Sequence, residues 1–64
     1  MTYTNKSKAE KAAAKRSLFA YLNKSFSQFD VIEKDGKVTV TQSGQYPARP
    51  FSVIAQYHDG YRVD

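Results

Sequence analysis

The run Tyr57-His58-Asp59-Gly60-Tyr61-Arg62 gathers two phenols, an imidazole and a guanidinium around one Asp-Gly turn. Aromatic faces of this kind stack on unpaired bases and a guanidinium grips phosphate, so the composition suits recognition of a nucleic acid. Tyr46 and Arg49, on an irregular stretch upstream, can join the same surface. Catalytic readings fare worse. His58 is the sole histidine, and as a general base it would need a partnered nucleophile and an oxyanion site, while Asp59 beside it reads as a turn residue. With one histidine and no cysteine, multi-His and Cys-based metal sites are excluded, and no metal is expected. Gly36, Gly44 and Gly60 are single and widely separated, which leaves no phosphate-cradling loop. The expectation is a non-enzymatic protein without a cofactor.

The second chemical signal is charge. Residues 1–24 carry Lys6, Lys8, Lys11, Lys15, Arg16 and Lys24 against Glu10 alone, for +5, whereas residues 25–64 sum to −1. One-sided basicity suits a polyanion, either nucleic acid or an acidic protein surface.

These groups have to be positioned by a helix and a sheet. Ser7 and Glu10 have capping-box spacing, and the following run, rich in Ala, Lys and Leu without Gly or Pro, predicts a helix over 7–26. At 3.6 residues per turn Ala14, Leu18, Tyr21, Leu22 and Phe26 share one arc, with Phe19 at its edge, and this arc is expected to face the core. The same reading makes Leu18 and Leu22 core residues. It also leaves the first two turns, with Lys8, Lys11, Lys15 and Arg16, projecting past the apolar body, and residues 1–6 as a flexible N-terminus.

Beyond residue 28 the apolar period falls towards two. Phe29–Glu33 and Lys37–Thr41 flank Lys34-Asp35-Gly36, a hairpin signal. A two-residue Asp35-Gly36 turn would pair Val31 with Val40; a three-residue loop would pair Ile32 with Val38 and exchange the faces. Gln42–Pro50 is irregular, with Tyr46-Pro47 a candidate cis bond and Pro47–Pro50 formally a polyproline spacing. Phe51, Val53, Ala55 and Tyr57 alternate onto one face, and a three-residue loop ending at Gly60 would bring Tyr61 and Val63 to that face too. The expected architecture is a single α+β domain spanning 1–64, a basic amphipathic helix on a three- to four-stranded antiparallel sheet over 29–64 (αβββ or αββββ), with a meander as the simplest strand order.

Sixty-four residues leave little interior for a catalytic cleft. Met1–Lys6 holds no apolar run, so a signal peptide and a membrane association are not expected, and the reading is a soluble, intracellular, cytoplasmic protein. The expected function is nucleic-acid binding or association through the basic helix; the alternative is a small protein-binding inhibitor or modulator of a larger enzyme or assembly, of phage or mobile-element type. The residues expected to bind are Lys6, Lys8, Lys11, Lys15, Arg16, Tyr46, Arg49, His58, Tyr61 and Arg62.

Overall fold

Asn5, in extended conformation, caps the helix: its side-chain oxygen accepts from the amides of Ser7 at 2.8 Å and Lys8 at 3.4 Å. The Ser7–Glu10 capping box is therefore not used, and α1 runs Lys6–Leu22 in the computed structural model, which describes residues 2–3 and 5–64. At the other end Lys24 turns left-handed (φ 57°), and the amides of Lys24 and Ser25 return to the carbonyls of Tyr21 and Ala20. This closure consumes the free carbonyls and stops the helix four residues before Phe26, where apolar periodicity alone would carry it.

Five antiparallel strands follow the order β1-β3-β2-β4-β5, where β1 is Thr2–Tyr3, β2 Gln28–Lys34, β3 Lys37–Gln42, β4 Ser52–His58 and β5 Tyr61–Arg62. The α+β class with four strands after the helix is as expected; β1 is not. Thr2–Tyr3 pairs with Val38 and Thr39, so this part of the N-terminal segment is a sheet edge instead of a loose tail, while Met1 and Thr4 lie outside the described residues.

The meander is also overturned: β4 pairs with β2, not β3. The connection from Ser43 to Phe51 carries the chain back over the sheet, which puts β2, the strand richest in large apolar residues, at the centre. Phe29, Val31 and Ile32 are thereby buried on both faces of the sheet. In the first hairpin Asp35 and Gly36 both take positive φ and Lys34 faces Lys37, which realises the two-residue register with Val31 opposite Val40. The second hairpin repeats this geometry at Asp59 and Gly60, with His58 opposite Tyr61, so the three-residue loop is not formed. A bulge at Ile54 separates the pairs Val31–Ala55 and Ile32–Val53. It breaks the expected common face of Phe51, Val53, Ala55 and Tyr57: Ile54 packs on the core and Val53 stays 44% exposed. The cis peptide bond is Arg49–Pro50, not Tyr46–Pro47.

The helix meets the sheet through its smallest residues. Ala9, Ala13 and Ser17 are fully buried at i, i+4, i+8 spacing, with Ala12, Ala14 and Ala20 flanking, against Phe29, Val31, Val38, Val40, Ala55 and Tyr57. The expected face is thus wrong: Leu18 is 43% and Leu22 64% exposed, and Phe19, Tyr21 and Phe26 are each about half exposed. Large side chains on the sheet leave room only for small ones on the helix. Ser17 adds a polar lock, since its hydroxyl donates to the Ser27 carbonyl at 2.6 Å and accepts the Gly60 amide at 2.9 Å. The connection covers part of the other sheet face, with Tyr46 stacked on Phe51 and Thr41 Oγ1 donating to the Gln45 carbonyl.

Four substitutions have defined outcomes for stability in denaturant titrations. Ser17→Ala leaves a buried carbonyl and amide without their partner and should cost about 1–3 kcal/mol. Leu22→Ala, on the open side, should stay within about 0.5 kcal/mol; a loss of several kcal/mol would contradict the helix orientation. Gly36→Ala and Gly60→Ala both force a side chain into the left-handed region, at about 1–2 kcal/mol. A Cβ at Gly36 meets open space, whereas one at Gly60 comes within 3.0 Å of Leu18 Cβ, so Gly60→Ala should be the more damaging of the two.

Candidate functional site

The rotation of α1 decides what the molecule presents. With Ala9, Ala13 and Ser17 turned to the sheet, the opposite side of the helix carries Lys8, Lys11 and Lys15 in its first half and Leu18, Phe19 and Leu22 in its second. All six are exposed. The basic turns do not project past the body, because Ala9 and Ala13 are sealed against the sheet at 0% exposure; the lysines are outward because of helix phase. Lys15 Nζ lies 5.8 Å from the Phe19 ring centre, so charge and aromatic surface are contiguous. Lys6 is exposed at the start of the helix, and Arg16 is exposed on its flank, with its guanidinium 5.3 Å from the Phe29 ring centre.

The aromatic and cationic cluster expected around the second turn is divided between the two sheet faces. Opposed residues on antiparallel strands point the same way, so Tyr57 and Arg62 share the helix side while His58 and Tyr61 share the other. Arg62 is engaged, with Glu10 Oε1 at 2.8 Å and Asp64 Oδ1 at 2.8 Å. Its hydrogen bond, followed by that of the Gln56 amide, holds the Asp64 carboxyl below its ordinary pKa. His58 Nε2 sits 3.4 Å from Asp59 Oδ1, and Asp59 also accepts from the Ser27 hydroxyl. Tyr61 is 75% exposed. Tyr46 donates its hydroxyl to Asp30 and is stacked on Phe51, and Arg49 is exposed in the connection. Tyr46, His58 and Tyr61 thus lie on the sheet face turned away from the helix, and Arg62 lies on the opposite one.

The residues that reasoning from sequence missed are the exposed Leu18, Phe19 and Leu22, which it assigned to the core, and Asp30, buried at 1% exposure in the middle of β2. A signal for the first existed. Ala9, Ala13 and Ser17 at i, i+4, i+8 form a continuous stripe of small residues, the pattern of a helix seated closely on a bulky surface. Among the described residues no group of three or more His, Cys, Asp or Glu gathers at metal-binding distance, and no helix is long and apolar enough to cross a membrane.

Burial, and then the nearby Glu10 carboxylate, push the Tyr57 phenol above its ordinary value of 10.0. A raised value means that the folded state holds its proton more tightly than the unfolded one. The associated stability is complete below about pH 10 and is lost as pH rises through the folded value. The tyrosinate absorbance of the parent minus that of Tyr57→Phe should therefore titrate above 10; a midpoint at or below it would show that the phenol is not buried between helix and sheet.

Compared with known proteins, the chain matches no family model, no curated relative and no solved structure.

Proposed function

We propose that this chain is a small, non-enzymatic protein-binding module, in which the outer side of α1 docks on an acidic segment of a larger enzyme or assembly and modulates it. One observation carries the reading: Lys8, Lys11 and Lys15 run directly into Leu18, Phe19 and Leu22 on the side of the helix that the sheet leaves open. Contiguous large apolar groups on the surface of a small protein mark an interaction site, and adjoining cations select the charge of what covers it. A seventeen-residue helix is about 25 Å long, enough to form the centre of an interface of about 800 Å² per side.

The partner chemistry is therefore an amphipathic segment with Asp or Glu beside Leu or Phe. Nucleic acid, the first expectation from charge, is less well served. Leu18 and Leu22 have no work to do at a phosphate backbone, and Tyr46, His58 and Tyr61, which would stack on bases, lie on the sheet face turned away from the lysines of α1.

Selection of displayed random peptides on the immobilised protein tests this. Enriched sequences should combine acidic and large apolar residues. Lys8→Glu/Lys11→Glu/Lys15→Glu and Phe19→Ser/Leu22→Ser should each weaken the selected peptide at least tenfold while the thermal midpoint holds, since none of these side chains is buried. Enrichment without acidic residues, or binding insensitive to Phe19 and Leu22, would overturn the proposal. Equal lysine dependence with DNA or RNA oligonucleotides, unaffected by Phe19→Ser/Leu22→Ser, would return the function to nucleic acid.

A further inference from the structure

The face of the sheet turned away from the helix holds a cleft of about 160 Å³, bordered by Gln28, Asp30, Ser43, Gln56, Tyr57, His58 and Val63. It owes nothing to the outer helix face. Gln28 pairs with His58 and Asp30 with Gln56 across β2 and β4, so the four side chains form a two-by-two patch on one face. Ser43 closes it from the start of the connection, its amide bound to the Gln28 carbonyl at 2.9 Å.

Asp30 is the unusual member. It is 1% exposed, and a buried carboxylate is costly unless its oxygens are matched by donors. Tyr46 donates its hydroxyl to Oδ2, and among the described residues no side chain or backbone amide donates to Oδ1. That oxygen is not sealed in the protein interior, and the side chain borders the cleft. No lysine or arginine borders it: Lys34 and Lys37 are at the far end of β2 and β3, and Arg62 faces the helix side, tied to Glu10 and Asp64. The cleft thus offers a buried carboxylate with an unfilled acceptor, away from the lysines and arginines of the molecule.

We propose that this cleft binds a primary alkylammonium group. An ammonium presents three N–H donors and no acceptor, and Asp30 Oδ1 with the side-chain carbonyls of Gln28 and Gln56 provides three acceptors. The volume, equivalent to about five waters, admits the head group and the start of its methylene stem, with Val63 as the apolar part of the border. The shared chemistry has two sources, a lysine side chain of a protein partner or a free small amine.

Titration of the ¹⁵N-labelled protein with butylammonium, tetramethylammonium and an uncharged-ended lysine-containing tripeptide tests this. Butylammonium should shift the amides of Gln28, Asp30 and Gln56 saturably, and tetramethylammonium, a cation without N–H donors, should not. Asp30→Asn keeps an acceptor for Tyr46 and should weaken binding at least tenfold; Gln28→Leu, at an exposed position, gives an independent several-fold loss should Asp30→Asn fail to fold. Tighter binding of the tripeptide than of butylammonium identifies a lysine side chain as the source, and the reverse a free amine. Absence of saturable shifts, equal response to tetramethylammonium, or a folded Asp30→Asn or Gln28→Leu variant that binds like the parent would overturn the proposal. None of these outcomes touches the docking role of α1, whose side chains are on the opposite side.

Discussion

The Ser17 hydroxyl sits where three parts of the chain meet, donating to Ser27 just before β2 and accepting from Gly60 in the last turn. A buried hydroxyl with both capacities used fixes the rotation of its helix more narrowly than apolar contact does, because a small turn about the axis breaks both bonds at once. Ser27 and Asp59 extend the lock: the Ser27 hydroxyl donates to Asp59, whose amide reaches back to the Ser27 carbonyl at 3.4 Å. With this corner fixed, Ala9 and Ala13 lie over Val31 and its neighbours, and Leu18, Phe19 and Leu22 have nowhere to go but outward. The exposure of the outer face is in that sense a consequence of a polar contact on the inner one.

The sheet is covered on both sides, which is uncommon for so short a chain. The helix takes one face, and the connection from Ser43 to Phe51 takes part of the other, held by the Tyr46–Phe51 stack and by the Tyr46 hydroxyl on Asp30. The four consecutive residues Phe29 to Ile32 are all buried as a result. Alternation, the usual mark of a strand with one wet face, is absent from this central strand for that reason.

Local chemistry was legible in the sequence, and long-range geometry was not. Lys34-Asp35-Gly36-Lys37 announces its turn, and the two-residue register, one of two alternatives, is the one found, because Asp and Gly tolerate positive φ without help from the rest of the fold. The same dipeptide at Asp59-Gly60 was assigned a longer loop to keep Tyr61 on an apolar face, a preference that the exposed Tyr61 shows to be absent. The helix was found but its buried side was mistaken, since the large apolar residues were taken as the core when the sheet had already filled that space. Of the candidate site, the exposed lysines were readable from charge. Their continuity with Leu18, Phe19 and Leu22, and the placement of Asp30 in a cleft, depend on helix phase and on the return of the connection, which no local pattern encodes.

Both outer strands are only two residues long, and what lies beyond them is awkward to copy. Along β4 the Gln56 amide is taken by Asp64 Oδ1 at 3.2 Å and its carbonyl by the Val63 amide at 2.8 Å, while the bulge at Ile54 bends the next stretch out of line. On the opposite border Thr2 and Tyr3 occupy Thr39 and Val38 in the middle of β3. Among the described residues neither margin offers a long row of free amides and carbonyls, which discourages another chain from extending the sheet. A chain that displays leucines and phenylalanine on a helix thus keeps its exposed apolar surface apart from its sheet margins, which are shaped against pairing with another strand.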